Sequence, residues 1–121
     1  MELSYTDLVR EFHEAAGHLV PKRPVILDEK TVLLRLSLIT SEVGELADAA
    51  RTNDLIGVAD ALADIIYVAI GWALAAGIDM DRVFHEVHAS NMTKMPPVYD
   101  AGGKVCKPET YRPVCLDWLL A

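Results

Sequence analysis

The feature that most constrains this chain is an uninterrupted apolar stretch from Ile65 to Ala76, which directly follows Asp64. The stretch is twelve residues long, whereas a helix that spans a bilayer needs about 20 apolar residues. A helix that is apolar nearly all round is typical of a buried position in a protein core. The sequence therefore predicts a central helix, covered by the other helices of the chain.

Apolar residues at helical spacing predict further helices on both sides of this one, and no segment alternates like a β-strand. We expect an all-α fold in which the helices pack as an antiparallel four-helix bundle, followed by an irregular C-terminal arm. The predicted helices cover residues 4–19, 30–51, 54–76 and 79 to 94 or 95.

Capping residues support these boundaries. Ser4 followed by Asp7 predicts a capping box, and Gly77 is typical of a helix C-terminus. The predicted N-caps of the other helices are Asp28, Thr52 or Asn53, and Asp79.

A chain of 121 residues is expected to form one domain, with a helical core over residues 1–95 and an arm over 96–121. Within the arm we expect a turn or short hairpin around residues 100–104, and docking of the apolar end CLDWLL onto the domain or a partner subunit. The net charge of −7 argues against binding to a nucleic-acid polymer. Two cysteines and an N-terminus without a visible secretory signal predict a cytoplasmic protein without a membrane partner.

Acidic residues on apolar helices are the main candidates for chemistry. Glu42 and Glu45 lie three residues apart, and Asp60 and Asp64 lie four apart, so each pair shares one face of its helix. If the two helices are antiparallel neighbours, the four carboxylates converge. No lysine or arginine lies between residues 51 and 82, so a buried Asp64 has no local cationic partner. A hard divalent cation, Mg²⁺ or Mn²⁺, would satisfy these carboxylates, and the alternative is a solvated acidic face.

Other polar residues give weaker signals. His13 and His18 are five residues apart and do not share a helix face, which excludes a zinc-protease helix. Asn91 and Lys94 share a face of the fourth helix, and Lys94 can neutralise a phosphate oxygen. The basic tail residues Lys104 and Lys107, beside Tyr111, indicate either a solubilising loop or a segment that closes over phosphate.

The segments EVGELAD with Glu42 and Glu45, DALAD with Asp60 and Asp64, and the Gly-Ile-Asp turn before NMTK together resemble the MazG-like all-α nucleoside triphosphate pyrophosphohydrolases. This superfamily includes dimeric dUTPases, dCTP pyrophosphatases and phosphoribosyl-ATP pyrophosphohydrolase, and the resemblance covers residues 30–112. Ser41 stands where many members have the first of two adjacent glutamates, and Ala61 where MazG itself has glutamate. The pattern therefore favours the dUTPase-like, dCTPase-like or phosphoribosyl-ATP branches.

The resemblance implies a reaction in which water attacks the α-phosphorus of a (deoxy)nucleoside triphosphate and releases a monophosphate and pyrophosphate, in nucleotide-pool sanitation. It implies a homodimer or a homotetramer built as a dimer of dimers. Two alternatives stay open: hydrolysis of phosphoribosyl-ATP, and a non-enzymatic helical dimerisation or adaptor module. The implied catalytic residues are Glu42 and Glu45, the implied Mg²⁺ ligands are Glu42, Glu45, Asp60 and Asp64, and the implied substrate-binding residues are Asn91, Lys94, Lys104, Lys107 and Tyr111.

Overall fold

The computed structural model of the chain describes residues 2–121, and these residues form four α-helices, a short 3₁₀ helix and no β-strand. The all-α expectation is confirmed. The helices are α1 (Tyr5–Ala15), α2 (Glu29–Arg51), α3 (Leu55–Ala75) and α4 (Met80–Met92), and the 3₁₀ helix covers Asp117–Leu120.

A boundary between Ile78 and Asp79 divides the described residues into two compact units. The first unit contains α1, α2 and α3. The second contains α4 together with residues 96–121, which the sequence analysis treats as a separate arm.

In the first unit, α2 and α3 run in opposite directions along each other. Three contacts show this. Ala49 lies over Gly57, the carboxyl group of Glu42 lies beside that of Asp64, and Arg35 lies over Gly71. Successive contacts are seven residues apart on both helices, which is close to two helical turns. The same faces of α2 and α3 therefore stay in contact along the pair.

The first helix also packs on α3. Val9 of α1 packs against Ile70 and Leu74 of α3, and all three side chains are buried. Val20, in the segment after α1, packs against this small core. The centre of the first unit is therefore the C-terminal half of α3.

The first three helices end in the same way, with a residue in the left-handed region directly after the C-cap: Gly17, Asn53 and Gly77. After α3, the N–H of Ile78 donates to the carbonyl of Ala73 at 2.8 Å, as in a Schellman motif. The same motif at Gly17 ends α1 at Ala15, so the predicted extension of this helix to residue 19 is wrong.

The N-terminal caps are mostly those expected. Ser4 and Asp7 form both hydrogen bonds of a capping box, and Asp28 and Asp79 cap α2 and α4. The prediction of Thr52 or Asn53 as the cap of α3 is wrong, since Asp54 accepts the hydrogen bond from the N–H of Gly57. Asn53 instead adopts the left-handed conformation that ends α2, and this leaves the next residue to begin α3.

The second unit is organised around α4. The backbone forms an isolated antiparallel bridge between Tyr99 and Val105, with Asp100 at the turn, so the expected hairpin around residues 100–104 is confirmed. Trp118 packs on α4, where its Nε1 donates to Glu86 at 2.7 Å and its ring lies 3.7 Å from the guanidinium of Arg82. The apolar end of the chain is therefore docked onto this unit.

Many large apolar side chains of the first unit are exposed. In α2, all of whose residues are described, no residue is buried, and on α3 Leu55 and Ile56 are 80% and 84% exposed. Within residues 2–121, α3 is the one helix long and apolar enough to cross a membrane by length and composition alone, a test that core helices of soluble proteins also pass.

Replacement of Gly77 by alanine should destabilise the protein. Gly77 has φ +67°, and an added Cβ would collide with the carbonyl oxygen of Arg23. The left-handed conformation alone costs a residue with a Cβ about 1–2 kcal/mol. Urea denaturation should therefore show a lower free energy of unfolding for Gly77→Ala.

The matched control is Gly44→Ala, inside α2, where an added Cβ meets no atom of the described chain within 4 Å. This substitution should raise the free energy of unfolding by about 0.5–1 kcal/mol, because alanine favours a helix interior over glycine. Equal effects of the two substitutions would contradict the assigned role of Gly77.

Candidate functional site

Three carboxylates meet where α2 and α3 pack together. Glu42 and Glu45 lie one turn apart on α2, and Asp64 lies on the facing side of α3. One oxygen from each of the three side chains lies within 4.8 Å of the others. Glu42 and Asp64 are partly buried, and Glu45 is exposed. We call Glu42, Glu45 and Asp64 the acidic cluster.

The pKa of Glu42 responds to the two other carboxylates of the acidic cluster. Its pKa is raised to about 7, first by a hydrogen bond with Glu45, then by burial and by the negative charges of Glu45 and Asp64. Its Oε2 is buried and has no hydrogen-bond partner among the described residues. Without a cation, the Glu42 carboxyl group of the folded protein is therefore mostly protonated only below about pH 7.

The acidic cluster fits a divalent cation. Carboxylate oxygens are the ligands that hard divalent cations prefer, and the unpartnered Oε2 of Glu42 offers a free ligand atom inside the group. The α3 sequence contains no lysine or arginine that could neutralise Asp64 instead. Glu42, Glu45 and Asp64 can therefore hold a divalent metal ion between the two helices.

The structure brings together three of the four acids that the sequence points to. Asp60 lies one turn before Asp64 on α3, is exposed, and does not belong to the acidic cluster. The i, i+4 spacing places both aspartates on one face of α3, but Glu42 and Glu45 lie opposite only one of them.

The predicted substrate-binding residues lie in the second unit. The Nζ atoms of Lys94 and Lys107 lie 5.4 and 5.5 Å from the centre of the Tyr111 ring, so the two ammonium groups share one aromatic side chain. Asn91 and Lys104 are exposed, and neither side chain forms a hydrogen bond within the part of the chain that is described. We call Lys94, Lys107 and Tyr111 the basic cluster.

Sequence reasoning misses a third group of polar residues, formed by Arg35 of α2 and His13 of α1 at Gly71 of α3. A Cβ at Gly71 would lie 3.1 Å from Nη1 of Arg35 and 3.1 Å from Nε2 of His13. The available signal is the position of Arg35, which stands seven residues before Glu42 inside the apolar sequence LLRLSL and so shares its helix face.

Two comparisons with known proteins show what this chain is similar to. Residues 9–91 match the model of the phosphoribosyl-ATP pyrophosphohydrolase family. An uncharacterized protein of Acanthamoeba polyphaga mimivirus is 46% identical over 80 residues, which cover 61% of this chain and 31% of the viral protein. The chain thus spans about a third of the length of this relative. The matched family range contains the acidic cluster and Asn91, and it ends before Lys94.

Divalent cations should stabilise the protein through the acidic cluster. At about 100 times its dissociation constant, a bound Mg²⁺ or Mn²⁺ raises the free energy of unfolding by about 2.7 kcal/mol. Asp64→Asn should remove this response, measured as the shift of the melting temperature on adding the metal. Asp60→Asn is the matched control and should keep the response, because Asp60 lies outside the acidic cluster. Loss of the response in both variants would add Asp60 to the ligands.

The stability of the metal-free protein should fall as the pH rises. Folding raises the pKa of Glu42 from 4.5 to about 7, so between these values the folded state binds more protons than the unfolded state. The contribution of Glu42 is therefore complete below pH 4.5 and is lost as the pH rises through about 7.

Urea denaturation in EDTA, at about pH 5 and about pH 8, measures this difference. Glu42→Gln should reduce the pH dependence, whereas Glu14→Gln, at an exposed position on α1, should leave it unchanged. An identical pH profile for Glu42→Gln and the unchanged protein would contradict the raised pKa.

Proposed function

We propose a function for this chain on the premise that it belongs to the phosphoribosyl-ATP pyrophosphohydrolase family. Membership implies a nucleotide pyrophosphohydrolase. The proposed reaction is the Mg²⁺-dependent hydrolysis of a (deoxy)nucleoside triphosphate between the α and β phosphates. The observation that carries the proposal is the convergence of three carboxylates from two helices within 4.8 Å, inside the matched range.

Glu42, Glu45 and Asp64 would hold the Mg²⁺ in this proposal. When bound, a divalent cation neutralises phosphate charge and lowers the pKa of a coordinated water. The three carboxylates must all be ionised to hold it, so Glu42 gives up the proton that it carries in the metal-free protein. Asp60, which the family resemblance includes among the ligands, lies one turn away and is assigned no contact in this proposal.

The carboxylates also position the attacking water. Glu42 or Glu45 orients the water and accepts its proton as the oxygen bonds to the α-phosphorus. The bond from this phosphorus to the bridging oxygen breaks, and its electron pair leaves with pyrophosphate. The exposure of Glu45 leaves one side of the acidic cluster open to a substrate.

The residues of the basic cluster are proposed to bind substrate phosphates, together with Asn91 and Lys104. The chain has a net charge of −7, so a polyphosphate needs local cations. Lys94 and Lys107 keep their ammonium groups beside the Tyr111 ring, which limits the side-chain entropy that phosphate binding would cost. The exposed Lys104 lies in the turn that Asp100 closes.

A second candidate substrate is phosphoribosyl-ATP itself, and the family match favours it specifically. This nucleotide also carries a triphosphate, so the same bond would break and the same pyrophosphate would leave. The two candidates differ in the rest of the nucleotide, which the acidic cluster does not contact in either proposal.

We also propose that the chain acts as a homodimer or homotetramer in the cytoplasm, in nucleotide-pool sanitation. The exposed apolar side chains of α2 and α3, among them Leu33 at 59% and Leu55 at 80%, support an oligomer, because such surfaces are buried in stable assemblies.

The decisive assay is a panel of nucleoside triphosphates, deoxynucleoside triphosphates and phosphoribosyl-ATP with Mg²⁺, in which pyrophosphate and orthophosphate are measured separately. We expect pyrophosphate and a monophosphate-bearing product. Glu45→Gln should lower kcat by at least about a hundredfold, the usual effect of losing a general base. Its helix content, measured by circular dichroism, should be unchanged.

Glu14→Gln, on the exposed surface of α1, is the matched control and should retain full activity. Full activity of Glu45→Gln would remove this residue from the site. If no substrate is hydrolysed and no metal response is seen, the non-enzymatic adaptor module becomes the better explanation.

A further inference from the structure

Arg35 is a cation without an anionic partner among residues 2–121. It lies on α2, partly buried, and its Nε is buried with no hydrogen-bond partner among residues 2–121. No ion pair or side-chain hydrogen bond joins Arg35 to a carboxylate of the described chain. Because charges that proteins bury are normally paired, the guanidinium of Arg35 is a candidate for binding an anion.

His13 lies against the same position. Its side chain is only 3% exposed, and its Nδ1 has no hydrogen-bond partner within the described chain. Burial and the neighbouring Arg35 lower the pKa of His13, so the imidazole is neutral at pH 7 and keeps one N–H donor. The chain therefore buries a second polar group beside the unpaired guanidinium.

Gly71 lets these two side chains approach the backbone of α3. The position of an added Cβ lies 3.1 Å from both Nη1 of Arg35 and Nε2 of His13, which is closer than ordinary van der Waals contact. The two nitrogens thus converge on one small region from two different helices. The guanidinium of Arg35 and the imidazole of His13 therefore fill the space over Gly71, and a ligand of Arg35 would approach from the side of the guanidinium that faces solvent.

The position of this region relates it to the acidic cluster. Arg35 precedes Glu42 by seven residues on α2, and Gly71 follows Asp64 by seven on α3. Seven residues correspond to about 10 Å along a helix. A cation at the acidic cluster and the guanidinium of Arg35 would therefore lie along one seam between the two helices.

We infer that Arg35, held against Gly71 beside His13, forms a phosphate-binding pocket on the solvent-exposed side of its guanidinium, and that this pocket takes a phosphate group of the nucleotide other than the one attacked at the acidic cluster. The inference rests on the proposed function, which supplies a substrate with several phosphates. A guanidinium binds phosphate oxygens through two parallel N–H donors, and the partly exposed Arg35 is reachable from solvent.

Binding of inorganic pyrophosphate tests the pocket without turnover. The titration is done in EDTA, and the ¹⁵N signals of the His13 ring report on the pocket. We expect pyrophosphate to shift these signals, and Arg35→Met to weaken binding about tenfold to a hundredfold, the usual effect of losing a charge-assisted hydrogen bond. Arg51→Met is the matched control, since Arg51 is exposed on the same helix and pairs with Asp48.

Thermal melting separates this role from a structural one. Arg35→Met keeps the length of the side chain and removes an unpaired charge, so the melting temperature should be unchanged or higher. A clear fall in the melting temperature, with pyrophosphate affinity unchanged, would overturn the pocket. Arg35→Lys provides a folded second variant, and it should keep part of the affinity because it retains the charge.

Kinetics connects the pocket to the substrate. Arg35→Met should raise KM for the hydrolysed triphosphate about tenfold to a hundredfold, with kcat changed much less. An unchanged KM in an active enzyme would overturn this inference and leave the proposed function intact, whereas an inactive wild-type chain that still binds pyrophosphate at Arg35 would overturn only the proposed function.

A carboxylate of a second copy of the chain is the competing partner for Arg35. Sedimentation of Arg35→Met over a range of protein concentrations tests it directly. If the variant dissociates to a smaller species and its pyrophosphate affinity is unchanged, Arg35 pairs with the other copy, and the phosphate pocket is wrong.

Discussion

The repulsion among three carboxylates between α2 and α3 is the interaction on which the functional interpretation depends. Glu42, Glu45 and Asp64 lie close enough for Glu42 to keep a proton until about pH 7. A protein stabilises such an arrangement only if something else makes up for the repulsion, since two ionised acids at this distance disfavour each other. A divalent cation does this directly, because it displaces the proton from Glu42 and attracts all three ionised carboxylates.

The arrangement is set by the register of two helices. Contacts between α2 and α3 recur every seven residues: residue 49 meets residue 57, residue 42 meets residue 64, and residue 35 meets residue 71. A single relative position of the two helices therefore aligns all three pairs. The pair nearest the connecting turn consists of small residues, Ala49 and Gly57, which let the helices approach. The next pair carries the acids, and the third carries Arg35 over Gly71. A shift by one turn would separate Glu42 from Asp64, so the packing of this helix pair and the chemistry depend on the same register.

The sequence predicts features that depend on residues close together in the chain. The capping box of Ser4 and Asp7, the helix stop at Gly77 and the shared face of Glu42 and Glu45 follow from spacing alone, and the structure contains all three. The cap of α3 and the exclusion of Asp60 from the acidic cluster do not. The first depends on Asn53 adopting the left-handed conformation, and the second on how far Asp60 lies from the carboxyl groups of Glu42 and Glu45 once the two helices pack. Arg35 and His13 are missed because their meeting at Gly71 requires three helices to be in place.

The two unusual charges of the first unit are opposite in sign, and one ligand can satisfy both. The acidic cluster carries negative charge, and Arg35, two turns along the same helix pair, carries a positive charge that has no anionic partner among residues 2–121. A free polyphosphate would be repelled by the carboxylates, and a free cation would leave Arg35 unpaired. In a cation bound to a nucleotide polyphosphate, the cation would lie at the acidic cluster and a phosphate group would lie at Arg35. In the proposed function, this complementarity would let a chain with a net charge of −7 select a polyanion, because the selection would be for the complex of the metal with its phosphates rather than for either alone.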